Sequence, residues 1–448
     1  MVKRVDVAII GAGSAGLSAL TEIRKVTDNF IVIDDGPLGT TCALSGCMPS
    51  KALIQAANGR RLNVPEALVR VRQLRDRFAG EVVRSTRRLG SRLVRGRAVF
   101  AGPRQLRVGK KEYFAKRVIL ATGSRPLVPK EWLLLGSRVV TTDSLFELQD
   151  LPRRIGVVGI GAVGLELGQA LSRLGCDVVA FDRSRGVGIL TDPAVNSCAS
   201  RRFAKEFSIH FDSDVKLKAH AGKIKIMSGG RAYERDLILA SLGRRPNLES
   251  LGLEAMGAAL DERGFPEFDR GTMKLSGLPI YLAGDVGAQR PIQHEASDDG
   301  RIAGYNSVHP KPRRFERRAA LAITFSDPNL ALVGKSFAEL KRGSFVTGEA
   351  NFETQARALI LGENYGLLHV YAGAADGKFL GAEMVGPEGE HLAHLMAWSL
   401  QRKLTVFEML RMPFYHPTVE EGLRDALRDA ARKVKVSSNA LPSRRFSQ

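Results

Sequence analysis

Val7-Ala-Ile-Ile-Gly11-Ala-Gly13-Ser-Ala-Gly16 decides the fold. A short apolar run leads into G-x-G-x-x-G, and a helical pattern follows. Glycines at this spacing permit a tight turn and let the backbone approach a pyrophosphate at the helix N-terminus. One such motif is weak evidence, but the context of strand before and helix after strengthens it. The pattern recurs 148 residues later as Gly156-Val-Val-Gly159-Ile-Gly161-Ala-Val-Gly164. Each copy is followed by an apolar strand ending in an acid, Phe30-Ile-Val-Ile-Asp34 and Val178-Val-Ala-Phe-Asp182. A carboxylate there can accept hydrogen bonds from ribose hydroxyls. Two dinucleotide-binding units are therefore expected. Asp182 would repel a 2′-phosphate, which favours NAD over NADP, although Arg183 and Arg185 beside it could accommodate that phosphate.

Each unit closes on a strand and a Gly/Pro turn. These are Val118-Ile-Leu-Ala-Thr122-Gly123-Ser-Arg-Pro126 and Leu237-Ile-Leu-Ala-Ser-Leu-Gly243-Arg-Arg-Pro246. Pro279-Ile-Tyr-Leu-Ala-Gly284-Asp285 adds one more strand, as if the first unit were interrupted by the second and then resumed. From about Arg318 the pattern changes. Strands at Leu321–Phe325 and Gly366–Tyr371 mix with helices at Glu390–Arg402 and Val419–Val434, and no third glycine fingerprint is present. The expected class is α/β, with two Rossmann-like domains and a C-terminal α+β domain. The boundaries read as 1–150, 151–275, a resumed first-domain segment 276–317, and 318–448. Ser437–Gln448 reads as a polar tail.

At 448 residues with 44% hydrophobic and 25% charged residues, the chain is an ordinary multidomain globular composition. No run is long and apolar enough to span a bilayer. The N-terminal Met1-Val-Lys-Arg resembles a signal peptide, but Asp6 interrupts the apolar run and a glycine loop follows. A cytoplasmic location is expected. The net charge of +20 concentrates between Arg60 and Arg97, where twelve arginines meet three acids, Glu66, Asp76 and Glu81. Leu68, Val71, Leu74, Phe78, Val82, Leu89 and Leu93 fit one stripe of a long helix there, which leaves the arginines as a solvated face able to attract anionic partners. No nucleic-acid-binding module is visible, and neither nucleic acid nor membrane is expected as a partner.

The chemistry lies in Cys42-Ala-Leu-Ser-Gly-Cys47-Met-Pro-Ser-Lys51. Four cysteines in so long a chain do not make a disulfide scaffold. A C-x4-C pair can close into a disulfide within one turn of chain. Pro49 marks a helix start, and a thiolate at a helix N-terminus is stabilised and reactive. Half of a metal site, or inert buried cysteines, are the alternatives. Cys176 and Cys198 have no spacing that would complete a metal site, and they read as packed residues. His391 and His394 share a helix face without a third ligand, so no metal is expected.

Taken together, these pieces resemble the class I pyridine nucleotide-disulfide oxidoreductases, above all the dihydrolipoyl dehydrogenases. The matching segments are Gly11–Gly16, Cys42–Lys51, Ala121-Thr-Gly-Ser-Arg-Pro126, Gly159–Gly168, Ala283-Gly-Asp-Val286 and Tyr415-His-Pro-Thr-Val-Glu-Glu421. The resemblance implies FAD in the first domain, held by Gly11, Gly13, Gly16, Asp34, Lys51, Thr122, Gly123 and Asp285. It implies NAD in the second, held by Gly159, Gly161, Gly164, Asp182 and Gly243. Cys47 would be the flavin-side charge-transfer thiolate and Cys42 the thiol that exchanges with substrate. Lys51 would pair with Glu166 beside the flavin. His416 would be the acid/base, oriented by Glu421, and would act on the Cys42 of the other subunit of a homodimer with shared sites.

The implied reaction oxidises a dihydrolipoyl group, free or on a carrier protein, with reduction of NAD+. Histidine suits the proton transfer that thiol–disulfide exchange requires, and a carboxylate on its second nitrogen fixes the tautomer. The chain departs from the family at Ala43-Leu44-Ser45 between the cysteines and at Phe414, two before His416, where histidine is frequent. Substrate choice is what these changes touch. The alternatives are an NAD(P)H-dependent reductase of another small disulfide or a metal ion, and a redox-sensing flavoprotein. Reduction of mercuric ion would call for a further cysteine pair in Ser437–Gln448, which has none.

Overall fold

The computed structural model describes residues 2–59, 62–249, 251–262, 265–287 and 290–435. The tail expected at Ser437–Gln448 lies outside the described residues, as do Arg60 and Arg61 of the arginine-rich segment.

The first sheet is built around β1 (Lys3–Ile10), whose Val7, Ala8, Ile9 and Ile10 are all buried. A strand covered on both faces reads as a continuous apolar run, as this one does. It pairs in parallel with β2 (Phe30–Asp34) on one side and with Lys111–Leu120 on the other. Between β1 and β2 the chain turns through Gly11 into helix α1 (Ser14–Ile23). Gly11 has φ +109°, and a Cβ there would lie 2.2 Å from the Ala121 carbonyl oxygen. A Cβ on Gly16 would lie 2.0 Å from the Gly11 oxygen. Both positions are closed to larger residues, which is why the motif needs glycine there.

The second sheet repeats the plan. Arg154–Val158 lies between Asp177–Phe181 and Leu237–Ala240, all parallel. Its far edge is Val139–Val140, paired with Leu237–Ala240. That strand precedes the boundary expected at residue 150, so by hydrogen bonding the second unit begins earlier in the chain. An antiparallel meander, Lys216–His220, Lys223–Ser228 and Arg231–Arg235, packs Ile224 and Ile226 against Val158, Val179 and Ile238. The first sheet then resumes: Ile280–Leu282 pairs in parallel with Lys111–Leu120, Leu282 opposite Leu120. The two Arg-Pro turns meet as a ribbon, Ser124–Pro126 antiparallel to Arg244–Pro246.

Residues 321–386 form a five-stranded antiparallel sheet, backed by helices Gly389–Gln401 and Glu421–Lys433. Buried polar groups join it to the second unit. Glu383, fully buried, accepts from the amides of Thr191, Asp192 and Phe337 and from the Thr191 hydroxyl. Asp192, the N-cap of helix Pro193–Phe203, accepts from His369 Nδ1 at 2.7 Å and from the Tyr371 hydroxyl at 2.9 Å.

In the arginine-rich segment, helix α4 (Val64–Arg87) opens with an Asn63/Glu66 capping box. It ends sooner than the apolar spacing predicts: Gly90 has φ +54°, and Leu93 starts a strand. Leu89 and Leu93 therefore do not belong to the helix. Among the described residues no helix is long and apolar enough to cross a membrane.

Candidate active site

Thr41–Leu44 forms the short helix α2, and α3 (Cys47–Asn58) begins at Cys47 itself. No side chain caps α3, and at its positive N-terminal end the Cys47 amide itself donates to the Cys47 sulfur. Both cysteines are free thiols and half-buried. They share a proton unequally. The Cys42 thiol donates to Cys47, which, with the Lys51 ammonium and against burial, brings the Cys47 thiol down to about 6. The same bond, with burial, pushes the Cys42 thiol well above its ordinary value. Near neutrality the pair is a Cys47 thiolate bonded by a Cys42 thiol. By contrast burial pushes Cys176 up to about 11 and also raises Cys198, as suits packed, unreactive cysteines.

One turn along α3, Lys51 reaches Glu166 on helix Ala162–Arg173 of the second unit, with both oxygens within 2.9 Å. Glu166 is buried and also accepts from the Phe325 amide at 2.8 Å. The Lys51 ammonium lies 4.6 Å from the centre of the Phe325 ring. One carboxylate thus ties together all three units at the dithiol.

The cysteines open on a cavity of about 230 Å³ lined by Gly13, Cys42, Cys47, Lys51, Glu166 and Asp285. It adjoins a larger one of about 960 Å³, lined by Gly11, Asp34, Arg97, Thr122 and Asn247, and the two share Gly13, Gly123 and Arg244. The larger is of the size of cofactor sites. Asp34 accepts from the Ala12 amide at 2.7 Å; burial raises its carboxyl despite that bond and the nearby Arg95. No side chain caps α1, and a Cβ on Gly13 would meet nothing within 4 Å. Unpartnered first-turn amides over open space are what a pyrophosphate requires, so the residues fit FAD.

In the second unit a Cβ on Gly159 would lie 2.4 Å from the Ser241 oxygen, whereas Gly161 and Gly243 face open space. The Gly161 cap is likewise bare, which fits a second dinucleotide. Asp182 accepts from the Ser184 amide and hydroxyl, each at 2.7 Å. Arg185 pairs with Asp212 at 2.7 Å and Arg183 with Asp214 at 3.6 Å, so acids already engage both candidate phosphate ligands.

His416 and Glu421 form the expected pair, Nδ1 to Oε2 at 2.9 Å. Burial alone would raise the Glu421 carboxyl; bonds from His416 and Thr418 outweigh it and hold it below the usual range. Arg424 also donates to Glu421, at 2.8 Å. The His416 side chain is 74% exposed and does not line the cysteine cavity of its own chain. Tyr415 and Met412 beside it are exposed as well.

Sequence reasoning missed the partners of Asp285. Its carboxylate accepts from the Ser124 hydroxyl at 2.7 Å and lies 3.9 Å from Arg244, which itself donates to the Ser124 hydroxyl and carbonyl. The repeated Arg-Pro turns were the available signal. His391 pairs with Glu388 and His394 with the Glu390 carbonyl.

Two nucleotide-binding units, one bearing a close dithiol with a thiolate poised near neutrality, define a dithiol oxidoreductase working with dinucleotides. The chain belongs to the pyridine nucleotide-disulphide oxidoreductase family: residues 5–300 match the family and residues 321–427 its dimerisation domain. Members of this family use FAD and NAD(P). The chain is 29% identical to a dihydrolipoyl dehydrogenase of Thermus scotoductus, over 95% of this chain and 97% of that protein. It is 25% identical to a mercuric reductase of Staphylococcus aureus, over 94% and 81% respectively. The fold is that of the HOCl-induced flavoprotein disulfide reductase RclA of Escherichia coli in its Cu(II) complex, with TM-score 0.87, 21% identity and coverage of 96% and 99%.

Proposed function

We propose that this protein oxidises dihydrolipoyl groups to lipoyl groups and reduces NAD+. The observation that carries the proposal is the Cys42/Cys47 pair in one cavity with Lys51, Glu166 and the bare glycine loop of the first unit. The substrate dithiol loses two electrons and two protons. The Cys42–Cys47 disulfide takes up both as it opens, and closing it again releases them. A substrate thiolate attacks Cys42, giving a mixed disulfide and leaving Cys47 as the thiolate; the second substrate thiol then displaces Cys42. Cys47 is the better leaving group because its thiol is the more acidic.

Gly11, Gly13, Gly16, Asp34, Thr122, Gly123 and Asp285 would hold FAD, which when bound would supply two-electron transfer between the dithiol and the nicotinamide. Lys51, fixed by Glu166, stabilises negative charge at the Cys47 end of the cavity. Gly159, Gly161, Gly164, Gly243 and Asp182 would hold NAD, the Asp182 carboxylate at the strand end accepting from ribose hydroxyls and repelling a 2′-phosphate.

His416 moves the substrate proton and Glu421 orients it. Its exposure, away from its own chain's cysteines, supports a homodimer in which it serves the partner's site. The paucity of cysteines suits the cytoplasm, where thiols stay reduced. The test is steady-state turnover of dihydrolipoamide, glutathione disulfide and mercuric ion with each nicotinamide cofactor. Turnover of dihydrolipoamide with NAD+ is expected; turnover of either of the others alone overturns the proposal.

A further inference from the structure

The function above leaves the arginines of α4 unused. Arg70, Arg77 and Arg84 stand seven residues apart, and Arg88, the C-cap, continues the line. Seven residues bring a straight helix back to within about 20° of the same face. Arg70 to Arg88 therefore makes one stripe roughly 27 Å long at about 1.5 Å per residue. All four are exposed, and the opposite face, Leu68, Val71, Ala79 and Thr86, is buried.

Among the described residues the four make no ion pair or side-chain hydrogen bond. Arg87 is likewise without a partner among the described residues, but the other described arginines of the segment behave differently. Arg72 donates to the Leu148 carbonyl, Arg75 pairs with Asp76 and Glu147, and Arg92, Arg95 and Arg97 pair with Asp28, Asp34 and Asp35. The helix dipole accounts for cations in the last turn, not for Arg70 and Arg77 in the body of the helix. Glu66 is occupied in the capping box and Asp76 pairs with Arg75, which leaves Glu81 as the one exposed acid of the helix without a partner among the described residues. Glu81 lies on the stripe itself, and the four arginines against that one acid leave a net-positive rail.

Its position gives it a use. The helix packs against both α2 and α3, which carry Cys42 and Cys47. We propose that the outward face of α4 docks an acidic carrier protein and so brings a carrier-borne dithiol to the cysteines. This rests on the dihydrolipoyl reading above and names its partner. A protein is favoured over the other polyanions for two reasons. Of the apolar residues of α4, Leu68, Val71 and Ala79 are buried in the fold, and only Val69 and Phe78 among its large hydrophobics are exposed, which leaves the helix no continuous apolar face to lay into a membrane surface. A nucleic acid would meet the charge but carries no dithiol for Cys42 and Cys47, which sit on the two helices that α4 packs against. Exposed charges of this kind act on encounter rate and salt dependence.

The experiment compares the FAD-loaded wild type with R70E/R77E/R84E, which touches no residue of the dithiol site. Substrates are free dihydrolipoamide, a dihydrolipoylated carrier domain of net negative charge, and that domain with surface carboxylates replaced by amides. The variant should keep wild-type turnover of free dihydrolipoamide while its kcat/KM for the acidic carrier falls roughly tenfold or more. Raising salt from about 0.05 M to about 0.3 M should erase the difference between the two proteins, because the screening length shortens to below about 8 Å. The amide carrier should not distinguish them.

Equal kcat/KM for the acidic carrier in variant and wild type overturns the docking proposal. Failure of both proteins to turn over free dihydrolipoamide overturns the substrate reading instead. In that case calorimetric titration of the acidic carrier still reads the rail, with binding lost in the variant expected and unchanged binding counting against it. Variant-sensitive binding of a duplex DNA or of phosphatidylglycerol vesicles, without binding of the carrier, assigns the rail to a different partner and overturns the proposal.

Discussion

Replacing Cys42 by alanine removes the thiol that donates to Cys47, the largest of the effects that lower the Cys47 thiol. A hydrogen bond to a charged acceptor contributes about 1.5–3 kcal/mol, and about 1.4 kcal/mol corresponds to one pH unit. A thiol is a weak donor, which favours the lower end. The midpoint for Cys47 should therefore move from about 6 to roughly 7 in Cys42→Ala. Cys42→Ser restores a donor and should bring it back. Lys51→Met removes the second stabilising influence and should raise the midpoint independently. The assay is the rate of alkylation of the reduced protein by iodoacetamide between about pH 5 and about pH 9, with modified Cys47 counted by peptide mass spectrometry, since the thiolate is the nucleophile.

The shift has a stability counterpart. The folded chain holds Cys47 below its unfolded value, so its contribution is complete above about pH 8.5 and is lost as pH falls through about 6. Cys42 is held above its unfolded value and costs the folded state once pH passes about 8.5. A Cys42→Ala midpoint within about 0.3 unit of wild type, or a Cys42→Ser midpoint displaced as far as that of Cys42→Ala, would refute the reasoning.

Mixing Cys42→Ser chains with His416→Ala chains should regenerate activity in mixed dimers, since one site of each would carry neither lesion; His416→Ala alone should lose about 10²–10⁴-fold. Inactive mixed dimers, shown to have formed, would defeat the shared site. Gly13→Ala should fold normally yet retain less FAD, because its Cβ meets only open space in the cofactor cavity, whereas Gly11→Ala should unfold the loop; equal FAD occupancy and equal melting temperatures in the two would contradict this. Glu383→Ala empties a fully buried acceptor site and strands four donors, the Asp192 amide in the interior and the others part-buried, and should cost about 2–4 kcal/mol in urea unfolding. His369 is lowered by burial but raised more by Asp192 and Glu349, so its contribution is complete below about pH 6.5 and is lost as pH rises through its raised value. The stability gap between wild type and His369→Gln should accordingly be wider at about pH 5.5 than at about pH 9, and a gap that widens with pH would contradict the assignment.

The parts legible in the sequence are those whose chemistry is local. Gly11 and Gly159 announce themselves because each is closed by a carbonyl against any Cβ. Cys42 and Cys47 are legible as a spaced pair, and the His416–Glu421 bond joins residues five apart. What stayed hidden is long-range. Nothing in Asp285 says that Ser124, 161 positions earlier, will bind it. Nothing in Glu383 shows that it will anchor Thr191. The short strand Val139–Val140 carries too little pattern to declare its sheet, and α4 stops before Leu89 because Gly90, not hydrophobic periodicity, sets its end.

The interrupted first sheet has a consequence for how the protein is made. Strand Lys111–Leu120 gains β1, and Gln105–Val108 along its first half, from residues already synthesised, but the neighbour of its last three residues, Ile280–Leu282, lies roughly 160 residues further on. At about 5–20 residues per second a ribosome needs on the order of 8–30 s to cover that distance. Through that interval Val118, Ile119 and Leu120, all fully buried in the finished protein, present an open apolar edge beside a growing second unit. An unpaired edge of this kind templates aggregation. The nascent chain is therefore most exposed to misassembly while the second unit is emerging, and a holdase acting then would raise its yield more than one acting after release.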